Sequence, residues 1–192
     1  MSLFKDEDIS LILAALKFSA ERHRNQRRKD HESTPYINHP IEVAEILWRE
    51  GGVREIKIII GALLHDIIED TKTEPEEIRR LFGDEILSMV LEVSDDKKLP
   101  KSERKRLQIV HAHHLSLSAK QIKIADKICN VKDLTTSPPE NWSDERRREY
   151  LEWTEKVVEG LRGCNKAMEA IYDKALEEGR ARYRVSDRIP GD

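Results

Sequence analysis

The chain has 192 residues, of which 37% are charged and 38% hydrophobic, and its formal net charge is −3. This length suits one domain with a sizeable hydrophobic core. The slightly acidic balance argues against a nucleic-acid partner, and no apolar run is long enough to span a bilayer. The two cysteines, Cys129 and Cys164, form no CxxC pair, so we predict reduced thiols in a cytoplasmic protein.

Apolar residues recur at helical spacing almost throughout the chain, which predicts an all-α fold without a required strand. The segment 53–68 is the most apolar, so we expect one central helix there. Thr73-x-x-Glu76 has the capping-box pattern and opens a later helix. In this half of the chain the predicted helices cover about 9 to 22–28, 39–50, 53–68, 73–83 and 84–93.

The C-terminal half continues the same pattern. Ser118-x-x-Gln121 is a second capping box, and Ser143 caps a last long helix. The predicted helices here cover about 101–114, 118–134 and 143–178. We expect a single helical-bundle domain over 1–192, with its core at about 5–178, a frayed tail at 180–192 and room for a small β-hairpin near 27–37.

The strongest chemical signal is His65-Asp66-Ile67-Ile68-Glu69-Asp70, at the end of the most apolar segment. Four ionisable side chains at the edge of an apolar core are costly unless something compensates their charge. His65 and Glu69 are one helical turn apart, as are Asp66 and Asp70. A bound divalent cation would neutralise the carboxylates; the alternative is a helix end with solvated acids.

Two further residues complete a metal-ligating set. His39 precedes Pro40 at a helix start, and Asp126 lies in an otherwise apolar-faced helix. With His65 and Asp66 they supply two imidazoles and two carboxylates and no thiolate. Such a set suits one Mn²⁺, Fe²⁺ or Zn²⁺ ion with open positions for water and substrate.

His39, His65-Asp66 and Asp126, in this order, resemble the H…HD…D signature of the HD superfamily of metal-dependent phosphohydrolases. More narrowly, His65-Asp66-x-x-Glu69-Asp70 resembles the HDxxED motif in the hydrolase half of RelA/SpoT enzymes. The resemblance covers about 11–161 and is closest to the small alarmone hydrolases. Further matching stretches lie at 26–30, 34–40, 62–66, 95–97 and 125–130.

The resemblance implies an HD-type helical bundle that hydrolyses the 3′-pyrophosphate of ppGpp or pppGpp, usually with Mn²⁺. The family's metal ligands match His39, His65, Asp66 and Asp126, and its catalytic acids match Glu69 and Asp70. Because both acids are present, we expect an active enzyme in which one of them takes a proton from the attacking water. The sequence ranks neither acid above the other.

A guanine nucleotide carrying several phosphates needs local cations in a net-acidic protein. By resemblance, Arg28 and Lys29 contact the nucleotide, and Arg28 could stack on the purine. Asn130, one turn after Asp126, could bind the sugar. The phosphate-side candidates carried over from the family are Lys101, Arg146 and Tyr150.

Two other functions remain open at this stage. The same metal set could serve an HD phosphatase that acts on another phosphorylated nucleotide. A non-catalytic nucleotide sensor is the other alternative, although a sensor has no need of the second acid pair, Glu69 and Asp70. Products separate the enzymes, since the first releases pyrophosphate and the second orthophosphate.

Overall fold

The computed structural model describes residues 5–184. Its α-helices are α1 (Asp6–His23), α2 (Asn38–Arg49), α3 (Ile56–Leu64), α4 (Ile67–Asp70), α5 (Pro75–Phe82), α6 (Asp84–Val93), α7 (Lys101–His111), α8 (Leu117–Thr136), α9 (Asp144–Glu159) and α10 (Lys166–Arg182), with a 3₁₀ helix at Ala112–His114. The predicted all-α class is confirmed. Where a small hairpin was expected, the described chain has a single antiparallel bridge between Arg27 and Pro35.

The helix predicted at 53–68 is divided in two, because α3 ends at Leu64 and α4 begins at Ile67. The carbonyl of Ala62 accepts from the His65 backbone N–H at 3.4 Å and faces its imidazole Nδ1 at 2.8 Å. In a regular α-helix this carbonyl would accept from the backbone N–H four residues later, and these contacts replace that hydrogen bond. The two residues between the helices, His65 and Asp66, keep backbone angles in the right-handed helical region, so the break is a local loss of regular hydrogen bonding.

The helix predicted at 143–178 is also two helices. Glycine ends the first, since Gly160 is the C-cap of α9 and Gly163 adopts a left-handed φ of 87°. Asn165 then caps α10: its side chain accepts from the Met168 N–H at 3.2 Å and donates to the Gly51 carbonyl at 2.8 Å. The expected tail is helical as far as Arg182, and 185–192 lie outside the described residues.

Both predicted capping boxes are displaced. Glu74 rather than Thr73 is the N-cap of α5, with Glu77 as its reciprocal partner. Ser116 rather than Ser118 caps α8, where its hydroxyl accepts from the Ala119 N–H at 3.2 Å. In each case a nearby polar residue has the backbone angles of an N-cap. A short sequence pattern does not show which of two nearby polar residues is the cap.

Helix α8 lies at the centre of the packing and contacts α2, α3, α6, α9 and α10. Helix α3 is buried from Ile58 to Leu64. Gly61 permits its close approach to α8, because a Cβ there would lie 3.0 Å from Ile122 Cδ1. This packing brings the end of α3, the start of α2 and the middle of α8 together. Within residues 5–184, no helix has the length and apolar character needed to cross a bilayer.

Candidate metal centre and active site

The four predicted metal ligands meet where these three helices converge. His39 Nε2 lies 3.1 Å from Asp126 Oδ1 and 3.9 Å from Asp66 Oδ2. His65 Nε2 lies 3.0 Å from Asp66 Oδ2 and 3.9 Å from Asp126 Oδ1. Both imidazoles are buried, with 2% and 4% exposure for His39 and His65. One ligand atom each from His39, His65 and Asp126 therefore lies within 4.8 Å of the others, and Asp66 Oδ2 adjoins both imidazoles.

The orientation of His65 fits a metal ligand. Its Nδ1 faces the Ala62 carbonyl, which can only accept, so Nδ1 carries the hydrogen and Nε2 faces the cluster. Although Asp66 Oδ2 is close, buried Nε2 has no hydrogen-bond partner among the described residues. A buried nitrogen without a partner, among carboxylate oxygens, is what a divalent cation would use.

The charges of the cluster also favour a cation. Burial disfavours the charged form of each residue in the cluster. For His65, however, the charges of Asp66 and Asp126 raise the pKa of the imidazole to about 9. Burial lowers the pKa of His39. Burial alone would raise the pKa of Asp66, but the effect of His65 is larger and lowers it. Lys127 lowers the pKa of Asp126 in the same way. Two carboxylates, that of half-buried Asp66 and that of buried Asp126, thus remain ionised and need positive charge.

Outer groups hold the carboxylate ligands in place. The Tyr36 hydroxyl donates to Asp66, while Lys127 Nζ donates to Asp126 Oδ2 at 2.9 Å. Asn130, expected at the sugar, donates to Asp126 Oδ1 at 2.5 Å. The roles of Tyr36 and Lys127 were missed from the sequence, although both lie in stretches that resembled the family. Such partners fix the orientation of metal ligands.

The two candidate catalytic acids lie in the wall of a cavity of about 180 Å³ that the four metal-ligand candidates also line. Glu69 accepts from the Asp95 backbone N–H and from Arg104 Nη1, each at 3.1 Å. Burial raises the pKa of Glu69, which makes its carboxylate a stronger base. Asp70 accepts from Gln26 Nε2 at 2.7 Å and from Lys97.

A larger cavity of about 560 Å³ adjoins the first and shares Tyr36, His39, Asp70 and Asn130 with it. It is the place where most of the predicted substrate residues come together. Those in its wall are Arg28, Lys29, Lys101, Asn130 and Tyr150. Its wall contains five Lys and Arg side chains and four carboxylates, and it adjoins the candidate metal centre.

Three of the predicted substrate residues have distinct surroundings. Arg28 pairs with Asp133, which fixes the guanidinium at the cavity wall, and lies 5.7 Å from the Tyr36 ring centroid. Burial raises the pKa of Tyr150 to about 12, so its hydroxyl remains a donor. Arg146 does not line this cavity. It stacks on Trp142 at 4.3 Å and lines a neighbouring cavity of about 430 Å³ with Lys101 and Tyr150.

The fold and the cluster together define an all-helical protein built to hold a divalent metal ion. The family model described as "HD domain" matches residues 15–157, and the chain belongs to this family. The resemblance drawn from His39, His65-Asp66 and Asp126 is thereby confirmed.

Several relatives carry a named activity. The chain is 53% identical over 166 residues to the guanosine-3′,5′-bis(diphosphate) 3′-pyrophosphohydrolase MESH1 of Xenopus tropicalis, covering 86% of this chain and 93% of that one. The protein of the same name from Homo sapiens is 52% identical over 158 residues, covering 82% and 88%.

Solved structures agree with these relatives. One, described as "A metazoan ortholog of SpoT hydrolyzes ppGpp and plays a role in starvation responses", matches with a TM-score of 0.86 and 44% identity over 88% of this chain and 95% of that one. A structure from Listeria monocytogenes matches with a TM-score of 0.63 and 27% identity, covering 78% and 98%. The HD-type helical bundle that the resemblance implied is therefore confirmed.

Proposed function

We propose that this chain hydrolyses the 3′-pyrophosphate of ppGpp or pppGpp and releases pyrophosphate with GDP or GTP. One observation carries the proposal: the buried His/Asp cluster, the acid pair and the larger cavity adjoin one another, in a chain about half identical to relatives named for this reaction. We also propose that residues 1–192 form one HD domain of the cytoplasm, in line with the expectation from sequence.

His39, His65, Asp66 and Asp126 are the residues that we propose to hold one ion. Two nitrogen and two oxygen donors without thiolate suit Mn²⁺, with Fe²⁺ and Zn²⁺ also admissible. We choose Mn²⁺ because the RelA/SpoT resemblance implies it. When bound, such an ion polarises a phosphoryl oxygen and makes water a better nucleophile at neutral pH.

Glu69 and Asp70 provide the proton acceptor in this proposal. Water attacks phosphorus, the bond between phosphorus and the ribose 3′ oxygen breaks, and that oxygen takes a proton from solvent, to which the acid pair afterwards returns the proton that it accepted. One carboxylate takes the proton from water and the other orients it. Burial of Glu69 raises its pKa, which suits a base that must work near neutral pH.

The larger cavity is the proposed nucleotide site. Arg28 and Lys29 supply charge near the nucleoside, and Asn130 is within reach of the sugar because it lines both cavities. Lys101, Arg146 and Tyr150 lie together in the wall of the neighbouring space and serve the other phosphates. The net charge of −3 is no obstacle, since these cations are local.

The experiment is incubation of the purified chain with ppGpp and Mn²⁺, with and without EDTA, followed by separation of nucleotide, pyrophosphate and orthophosphate. We expect release of GDP and pyrophosphate that EDTA abolishes. Orthophosphate as the product from another phosphorylated nucleotide, with ppGpp untouched, would replace the proposal with an HD phosphatase. Tight ppGpp binding without turnover would indicate a sensor.

A further inference from the structure

A chain of hydrogen bonds leads away from Asp70 to a buried histidine that the proposed mechanism does not use. Gln26 Nε2 lies 2.7 Å from Asp70 Oδ2, and its Oε1 lies 2.7 Å from His23 Nδ1. His23 is the last residue of α1 and is only 2% exposed. Its ring packs against Tyr36, with 5.0 Å between the ring centroids, and Tyr36 in turn donates to Asp66.

The direction of every bond in this chain follows from Asp70. A carboxylate can only accept, so the amide nitrogen of Gln26 faces Asp70 and its carbonyl oxygen faces His23. That oxygen can also only accept, so His23 Nδ1 must carry a hydrogen. Buried Nε2 has no partner among the described residues, so the bond from Nδ1 to Gln26 is the one that orients the ring.

The two oxygens of Asp70 are held differently. Oδ2 is held by the neutral amide of Gln26, whose other end is fixed by buried His23. Oδ1 pairs with Lys97, whose side chain is 49% exposed. Because solvent reaches and screens the ammonium, Lys97 can leave at little cost. The amide bond is the fixed contact and the ammonium is the exchangeable one.

We propose that Gln26, oriented by His23, is a positioning residue that fixes the Asp70 carboxylate so that Oδ1 is the oxygen that meets the attacking water. Lys97 covers Oδ1 in the free protein and moves to a phosphate of the nucleotide, which leaves Oδ1 open. The inference rests on the proposed function, because Asp70 is one of its two acids. It assigns His23 and Gln26 a role that neither the motifs nor the family resemblance provided.

The kinetic test uses Gln26→Ala, which removes both bonds of the amide. We expect kcat to fall by about tenfold to a hundredfold, the usual cost of removing a group that orients a reacting one. Mn²⁺ affinity should stay close to wild type, since Gln26 bonds none of the metal-ligand candidates, and KM is recorded separately because Gln26 also lies in the wall of the larger cavity. Unchanged kcat, or an effect confined to KM or to thermal stability, would overturn the proposal.

His23 supplies the matched pair of variants. His23→Asn keeps an N–H donor near the position of Nδ1 and should retain most of kcat, whereas His23→Leu should lose as much as Gln26→Ala. Glu21→Ala is the control, since Glu21 is an exposed residue of α1 that pairs weakly with Lys17 at 3.9 Å. If His23→Asn were as slow as His23→Leu, the N–H donor would not be the feature that matters.

A second measurement is independent of turnover. The ¹⁵N shifts of the His23 imidazole distinguish its two neutral tautomers, and we expect the Nδ1–H form in wild type and loss of that preference in Gln26→Ala. An Nε2–H ring in wild type would overturn the bond directions. Failure of wild type to hydrolyse ppGpp would overturn the proposed function instead. The tautomer of His23 would still test the proposed hydrogen bonds from His23 through Gln26 to Asp70.

Discussion

His65 and Glu69 lie one turn apart, yet the structure gives them different surroundings. His65 Nε2 lies near the Asp66 and Asp126 carboxylates, and its ring packs against that of His39. Glu69 is instead bound by the Asp95 N–H and by Arg104. The ligand candidates and the acid candidates should therefore fail in different ways when substituted. This difference separates loss of metal from loss of proton transfer.

Asp66→Ala should abolish both Mn²⁺ binding and hydrolysis, because it removes the oxygen nearest to His65 Nε2. Glu69→Gln should bind Mn²⁺ as wild type does and lose about 10²- to 10⁴-fold in kcat, the usual contribution of a general base. Calorimetric titration with Mn²⁺ and a turnover assay check both. The exposed acid Asp173, which pairs with Arg162, provides Asp173→Ala as a control. Normal turnover by Glu69→Gln would refute its role.

The pH dependence of kcat tests Glu69 further. Burial is the main cause that raises its pKa, and the charge of Asp95 adds to it, while the Asp95 N–H lowers it. Asp95→Asn keeps the N–H and removes the charge, so the pKa of Glu69 falls. A base is active above its pKa, so the acid limb of the profile should move to lower pH.

The measurement is the kcat profile of Asp95→Asn at saturating Mn²⁺, with metal occupancy recorded at each pH. Asp96→Asn is the matched control, since Asp96 is the exposed neighbour and bonds the Lys98 N–H at 2.9 Å. A limb that stays in place in Asp95→Asn would mean that Glu69 is not the titrating base.

At the scale of the helices, periodicity predicted most elements because most of them bury one apolar face. The helix at 84–93 matches α6 at both ends, and the helix at 39–50 differs from α2 by one residue at each end. The breaks at His65 and after Gly160 were missed. A side chain that bonds its own helix leaves the apolar spacing intact, and a glycine within a charged pattern does not interrupt it either.

The residues of the site likewise divide into those that the sequence predicted and those that it missed. The four ligand candidates and both acids were found because they lie in short motifs of recognisable order. Tyr36 and Gln26 were missed because their acidic partners lie 30 and 44 residues away in sequence, and His23 was missed because it acts only through Gln26. A sequence without an alignment carries no signal for such pairs.

The close approach of α3 and α8 leads to a prediction about elements. Gly61→Val places a branched side chain where a Cβ already lies 3.0 Å from Ile122 Cδ1. We expect a loss of about 1–3 kcal/mol in the free energy of unfolding, the usual cost of overpacking. Because α3 leads into His65 and α8 carries Asp126, the displaced helices should also weaken Mn²⁺ binding.

Gly160→Ala is the matched control for this prediction. Its Cβ would lie 2.6 Å from Ala112 Cβ, at the contact between the end of α9 and the 3₁₀ helix. It should lower stability by a similar amount with Mn²⁺ affinity unchanged. Thermal melts and calorimetric titration of both variants provide the check. Equal Mn²⁺ affinity in Gly61→Val and wild type would show that the spacing of α3 and α8 does not set the site.

At the scale of the molecule, one buried centre joins segments that are far apart in sequence. His39, His65-Asp66 and Asp126 belong to three parts of the chain, and the core around α8 holds them together. Without metal, the proton on His65 and the ammonium of Lys127 offset the charge of the two carboxylates. A cation bound here would hold α2, α3 and α8 at one point, so metal binding and global stability should be linked.

Mn²⁺ should therefore raise the melting temperature of wild type by several degrees, since metal at a hundred times Kd adds about 2.7 kcal/mol to the free energy of unfolding.

The ion and the proton compete for His65, whose pKa is raised to about 9. In metal-free protein the protonated ring stabilises the fold below its ordinary pKa, and this contribution is lost as pH rises through about 9. Metal binding releases that proton, so the Mn²⁺-induced shift should grow as pH rises toward that value. Melts with Mn²⁺ and with EDTA at several pH values check this, and a shift that persists in Asp66→Ala would place the stabilising ion elsewhere.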